Sequence, residues 1–233
     1  MFPLRDDIPS SRFPVVTVGI IVANVLVFLQ EVQAGRHLQE LFLNYAVIPV
    51  RYTQPEVAQY FTWAQQVFSF FSSMFLHGGW IHLLGNMWVL WIFGDNVEDR
   101  LGRTRYVMLY LASGVAAAVL HIFTNPNSEM PTVGASGAIA GIMGSYFRFY
   151  PQARVETIIP PFIFTVFRLP AIVFLGGWFL LQFFNGAMSL GARGQAGGVA
   201  WWAHVGGFMF GFVTCLFAQK EPRAPVPPRY IDV

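Results

Sequence analysis

Long apolar runs alternate along the chain with short polar or glycine-rich stretches. Residues 40–75 differ: they are rich in Phe and Tyr and are interrupted by Pro49 and Pro55, which predicts short amphipathic helices lying on a membrane surface. The runs that approach the length of a membrane-crossing helix predict six spans, at 13–32, 80–93, 106–123, 136–150, 164–188 and 199–218. The pattern predicts an all-α polytopic membrane protein of six transmembrane helices with a long interfacial first loop.

The composition agrees with this class. Hydrophobic residues make up 55% of the chain and charged residues only 11%, against roughly 25% charged in soluble domains. A net charge of +2 does not favour a nucleic-acid partner. We expect the lipid bilayer to be the main surrounding, with a cytoplasmic segment at 1–12, a membrane domain at 13–219 and a proline-containing, disordered cytoplasmic tail at 220–233.

The basic residues predict an orientation. With a cytoplasmic N-terminus, only Arg36, Arg51 and Arg193 of the 14 Lys and Arg residues fall in outer segments. This excess on the cytoplasmic side predicts that both ends lie inside, which requires an even number of spans. The second, fourth and sixth spans then all run inward, so polar residues near their starts meet at the outer side of the membrane.

A serine framed by glycines opens the fourth span. Gly134 and Gly137 flank Ser136 and permit a sharp turn and a close approach of neighbouring helices. The span is about 22 Å long at 1.5 Å per residue, short of the roughly 30 Å hydrocarbon core, so Ser136 is predicted to be recessed below the outer surface. A serine at a helix start is also an ordinary N-cap, and that alternative stays open.

An isolated histidine, His204, lies near the start of the sixth span and is followed by Gly207 and Gly211. Packing these glycines against the small residues that follow Ser136 would bring the two helix starts together. His204 could then take the Ser136 proton as a general base, or it could simply bond a neighbouring carbonyl. None of the twelve carboxylates lies well inside a predicted span, which favours a Ser–His dyad over a triad.

Two further polar residues, His82 and Asn86, share one face of the second span because they are four residues apart. With the backbone N–H of Ser136 they could stabilise a developing oxyanion, or they could form an interhelical pair without a catalytic role. A metal site made of His77, His82 and His204 is disfavoured, because the spacing matches no common zinc pattern. No metal or other cofactor is expected.

These motifs resemble those of the rhomboid family of intramembrane serine proteases, in its simple six-helix bacterial form, over residues 12–219. The stretch around Glu98 and Arg100 also resembles a structural Glu-x-Arg segment of the family. The matching motifs are Gly134-Ala135-Ser136-Gly137, His77 with His82 and Asn86, and Ala203-His204 with Gly207 and Gly211.

The resemblance implies a serine endopeptidase with Ser136 as the nucleophile and His204 as the general base and acid. It implies an oxyanion hole made of His82, Asn86 and the Ser136 N–H, with His77 and the motif glycines in structural roles at the site's edge. The substrates would be transmembrane segments of other membrane proteins, reached from the outer side of the cell membrane. It implies no particular oligomeric state.

Two positions depart from the family pattern. Phe68 and Ser69 stand where many members have Trp-Arg, and Ala140 stands where some have a tyrosine that stacks on the histidine. An aromatic residue such as Trp202 is then expected to orient His204. Substrate access is implied to involve the span 164–188 and the loop before the sixth span. A catalytically inactive binder or chaperone is the alternative function, whereas a transporter is disfavoured because no inverted repeat or midplane carboxylate is evident.

Overall fold

The computed structural model describes residues 1–191 and 199–217, and helices predominate in it. The predicted tail at 220–233 and much of the loop before the last helix lie outside the described residues. The helices are α1 Val15–Ala34, α2 Leu38–Tyr45, α3 Val50–Thr53, α4 Pro55–Ala58, α5 Trp63–Ser72, α6 Trp80–Leu101, α7 Arg103–Thr124, α8 Ser136–Phe149, α9 Ala171–Gly191 and α10 Trp201–Leu216.

Three helical segments are long and apolar enough to cross a membrane, judged by length and composition among the described residues: Val15–Tyr45, Arg103–Thr124 and Ala171–Leu190. Trp201–Leu216 is a shorter apolar helix. The protein is therefore mostly helical, and its long helices can span a bilayer.

The predicted interfacial first loop contains the short helices α2 to α5. Buried Arg51 holds this loop together, because its Nη1 donates to the carbonyl oxygen of Leu43 at 2.9 Å and its guanidinium lies 3.7 Å from the ring centre of Phe61. Val47 and Thr132 exchange two backbone hydrogen bonds, of 3.3 and 2.7 Å. The loop is thereby fastened to the segment that leads into α8.

Helices α8 and α10 pack in parallel at very close range. A Cβ atom on Gly207 would lie 1.9 Å from the carbonyl oxygen of Gly137, and one on Gly211 would lie 1.9 Å from that of Gly141. Only residues without side chains allow this approach. The small-residue faces predicted such packing, and it brings the starts of the two helices to the same end of the pair.

A three-stranded antiparallel sheet departs from the predicted all-α fold. Strand β1 Phe2–Asp6 pairs with β2 Arg154–Ile159, which pairs with β3 Phe162–Pro170. The predicted fifth span, 164–188, was therefore wrong at its start, since α9 begins only at Ala171. The β3 residues are apolar enough to be read as part of a span, but aromatic and β-branched side chains favour an extended strand once partners are present.

Candidate active site

The side chains of Ser136 and His204 meet where α8 and α10 begin. The Ser136 Oγ lies 2.9 Å from the His204 Nε2, within hydrogen-bond distance. Ser136 is the first residue of α8, and the N-cap position is occupied by Ala135 without a side-chain cap. The hydroxyl is thus bonded to an imidazole across the helix pair, and the N-cap alternative does not describe it.

The other ring nitrogen of His204 faces α9. Its Nδ1 lies 2.7 Å from the Oε1 of Gln182, and the Trp178 ring lies against the imidazole with centroids 5.8 Å apart. Trp202, which was expected to orient the histidine, instead donates from Nε1 to the carbonyl oxygen of Gly186 at 3.1 Å. An aromatic residue does lie against His204, but it is Trp178 of α9 and not Trp202, because residues two apart on a helix do not face the same side.

His82 and Asn86 of α6 lie beside the turn that precedes Ser136. Gly134 in that turn has φ +125°, and a Cβ atom on it would lie 2.7 Å from the His82 Nε2 and 3.6 Å from the Asn86 Nδ2. Only glycine fits this backbone and this contact. Because Gly134 has no side chain, both polar groups can approach the start of α8.

The hydrogen bonds around His77 and His82 define which nitrogens donate. The His77 Nδ1 lies 3.3 Å from the Phe75 carbonyl oxygen, which can only accept, so its Nε2 accepts from the Asn86 amide at 3.0 Å. The backbone N–H of Gly78 donates to the His82 Nδ1 at 3.4 Å. In the neutral ring the His82 Nε2 then carries the proton, so His82 and the second amide hydrogen of Asn86 both remain donors.

Two buried polar residues of the site were missed by sequence reasoning. Glu31 of α1, 2% exposed, accepts from the backbone N–H of His77, and Gln182 of α9, 5% exposed, contacts His204. The available signal was a polar side chain within an apolar run, since such residues in membrane helices usually face a partner or a cavity.

A small cavity of about 40 Å³ adjoins the serine. It is large enough for water or a small side chain. Its lining includes Gly114, Ala117, Gly134, Ser136, Gly137 and Ala203. A larger cavity, of about 350 Å³, lies between the start of α1 and the end of α6 and contains none of the predicted site residues.

Glu98, from the predicted structural Glu-x-Arg segment, borders that larger cavity. Its carboxylate accepts from the backbone N–H groups of Val16 and Thr17, at 3.0 and 2.8 Å. It therefore caps the first turn of α1, whose N–H groups have no intrahelical acceptors. Across residues 1–191 and 199–217, no group of three or more His, Cys, Asp or Glu side chains is arranged to hold a metal ion.

Comparison with known proteins identifies the family of this chain. A family model described as Rhomboid domain matches residues 64–220, more than half of the chain. The chain is 32% identical to "Presenilin-associated rhomboid-like protein A, mitochondrial" of Danio rerio over 147 residues, covering 60% of this chain and 34% of that protein. It is 28% identical to "Rhomboid protein 1, mitochondrial" of Saccharomyces cerevisiae over 159 residues, covering 65% and 42%.

A third relative is "RHOMBOID-like protein 5" of Arabidopsis thaliana, 30% identical over 161 residues, covering 69% of this chain and 47% of that protein. The chain thus spans about a third to a half of the length of these curated relatives. The matched region contains α6 to α10, which carry Ser136, His204, His82 and Asn86. The chain belongs to the rhomboid family.

Proposed function

We propose that this protein is a serine endopeptidase that hydrolyses peptide bonds in or near transmembrane segments of other membrane proteins. The observation that carries the proposal is the 2.9 Å separation of the Ser136 Oγ and the His204 Nε2, on two helices of a rhomboid-family chain. A hydroxyl and a neutral imidazole at this distance are the minimum needed for nucleophilic catalysis.

In the first half-reaction, the Ser136 Oγ attacks the carbonyl carbon of the scissile peptide bond while its proton moves to the His204 Nε2. The tetrahedral intermediate collapses when the carbon–nitrogen bond breaks. His204 donates its proton to the leaving amine, and the remaining carbonyl forms an ester with Ser136. No metal or cofactor takes part in this sequence.

In the second half-reaction, a water molecule attacks the ester. His204 takes a proton from the water and then returns it to the Ser136 Oγ as the carboxylic acid product leaves. The cavity of about 40 Å³ beside Ser136 supports this step, because it is large enough to hold water close to the ester. Its small volume also favours a substrate with a small side chain next to the cleaved bond.

The oxyanion of both intermediates would be held by His82, Asn86 and the backbone N–H of Ser136. The Ser136 N–H opens α8 and therefore has no acceptor within the helix. Among the described residues, the His82 Nε2–H and one Asn86 N–H have no acceptor, so both are available as side-chain donors. Donors of this kind are typically worth about 10²–10³ in kcat each.

We also propose six spans with both termini in the cytoplasm. The parallel packing of α8 and α10 supports this arrangement, because the chain between them must return across the bilayer and α9 is long enough to do so. The proposed location is the cell membrane, with the site opening outward. The names of two relatives include the word mitochondrial. Locating the tagged protein in cells distinguishes the cell membrane from a mitochondrial membrane.

The test of the peptidase proposal uses purified protein in detergent or liposomes. Native protein is expected to be labelled by a fluorophosphonate probe and to cleave a transmembrane test substrate, whereas Ser136→Ala and His204→Ala do neither. Cleavage by Ser136→Ala, with contaminating proteases excluded, would overturn the proposal. Capture of substrate by native protein without labelling or turnover would instead favour an inactive binder or chaperone.

A further inference from the structure

Gln182 lies in the middle of α9, where its side chain is 5% exposed and faces α10. Its Oε1 is 2.7 Å from the Nδ1 of His204, which is shorter than the 2.9 Å between the His204 Nε2 and the Ser136 Oγ. The bond joins two different helices, so it depends on how α9 and α10 are packed and not on local sequence.

The chemistry of this contact selects a tautomer. An amide oxygen can only accept, so the His204 Nδ1 must carry the hydrogen. The Nε2 of the neutral ring is then left with its lone pair directed at the Ser136 hydroxyl, 2.9 Å away. In the opposite tautomer the Nε2 would itself carry a hydrogen and could not accept the serine proton.

We propose that Gln182 is a positioning residue that holds His204 in the base-competent tautomer and orientation, the task that an aspartate performs in Ser-His-Asp triads. The inference rests on the proposed peptidase function. Trp178 packs on the imidazole ring but offers no acceptor in the ring plane, so it restricts the ring without selecting the tautomer. A neutral amide also suits this place, since an ionised carboxylate inside a membrane helix is costly.

The contact also makes the base dependent on α9. A hydrogen bond of 2.7 Å is lost once the two atoms separate by about 1 Å. His204 is therefore set for proton transfer only while α9 is docked, and a displacement of that helix leaves the tautomer unselected.

The test compares Gln182→Met, which keeps the length of the side chain but offers no amide oxygen, with Gln182→Glu, which keeps an acceptor. Asn185→Leu is the matched control, because Asn185 lies on the same helix and its side chain, among the described residues, donates to the Leu181 carbonyl oxygen at 2.7 Å and not to His204. Thermal unfolding of each variant in detergent shows that it is folded. The rate of fluorophosphonate labelling reports on the dyad.

A second readout does not need activity. Nitrogen-15 NMR of histidine-labelled protein, with the His204 signals assigned by loss in His204→Ala, reports directly which ring nitrogen carries the hydrogen. Native protein, Gln182→Glu and Asn185→Leu are expected to show the Nδ1–H form. Gln182→Met is expected to show a mixture of tautomers, together with labelling slowed by about 10- to 100-fold, a part of the 10²–10⁴ that a positioned general base contributes.

A Gln182→Met variant with native tautomer signals and native labelling would overturn the inference while leaving the peptidase proposal intact. The opposite outcome is also possible: the native protein shows the Nδ1–H form, Gln182→Met does not, and the native protein is never labelled. In that case the contact orients His204 as inferred, and the peptidase proposal fails.

Discussion

The backbone N–H of His77 donates to both carboxylate oxygens of Glu31, at 3.1 Å each, across the contact between α1 and the loop that precedes α6. His77 in turn accepts from Asn86. A residue of the first long helix therefore supports, through one histidine, the amide proposed to bind the oxyanion.

Replacing Glu31 tests this support. In Glu31→Leu the buried His77 N–H loses its acceptor, which typically costs about 1–3 kcal/mol of stability. We expect a lower melting temperature and slower substrate cleavage. Glu31→Gln keeps one acceptor oxygen and should stay near the native protein in both measurements. An equal loss in the two variants would contradict the prediction that one acceptor oxygen at this position is enough to support His77.

The α8–α10 contact makes a second prediction. A methyl group at residue 211 would lie 1.9 Å from the carbonyl oxygen of Gly141, so Gly211→Ala forces the helices apart. We expect a loss of about 1–3 kcal/mol, typical of overpacking, and reduced labelling of Ser136. The control is Gly85→Ala on α6, where nothing lies within 4 Å of the added atom. A Gly211→Ala protein as stable and active as the control would contradict the close packing.

The turn before Ser136 makes a third prediction. Gly134→Ala places a methyl group 2.7 Å from the His82 ring on a backbone with φ +125°. We expect cleavage to fall by about tenfold or more, because an oxyanion donor is displaced. Gly102→Ala separates this effect from backbone strain, since Gly102 has φ +76° but open space around it. Backbone strain is expected to lower the melting temperature of both variants, whereas only Gly134→Ala should lose activity. An equal loss of activity in Gly102→Ala would contradict the role of the His82 contact.

The N-terminal strand makes a prediction about pH. Burial raises the pKa of the Asp6 carboxyl from 3.8 to about 7, against the opposing hydrogen bond from Tyr146, and nearby Asp95 and Asp7 add to the rise. Between these values the folded protein holds a proton that the unfolded chain has released. The stability contributed by this group is therefore fully present below a pH of 3.8 and is lost as the pH rises to about 7.

Asp6→Asn removes the titration while keeping an oxygen that can accept from Asn96 and Tyr146. We expect the native melting temperature to fall between pH 4 and 7 more steeply than that of Asp6→Asn. Amide hydrogen exchange in β1 should follow the same trend. Parallel pH curves for the two proteins would contradict the assignment to Asp6.

Much of the helical core could be predicted from the sequence. Helix α6 begins at Trp80 and α8 begins at Ser136, the residues at which the second and fourth predicted spans begin. The meeting of Ser136 and His204 was also predictable, because small residues at fixed spacing determine which faces of two helices can touch.

The remainder depends on contacts between residues far apart in the chain. Strand β3 is apolar, and only its partners, β2 and through it the N-terminal β1, make it a strand rather than the start of a span. Gln182 reads as one polar residue in an apolar run, and its meaning depends on the rotation of α9 about its axis. Trp202 is adjacent in sequence to the site but lies on another side of α10.

The sheet has a mechanical consequence for the base. Strand β1 is hydrogen-bonded to β2, β2 to β3, and β3 runs without a break into α9 at Ala171. The start of α9, the helix that carries Gln182, is therefore connected through the sheet to the first residues of the chain. The position of His204, which contacts Gln182, therefore depends in part on the short strand formed by residues 2–6.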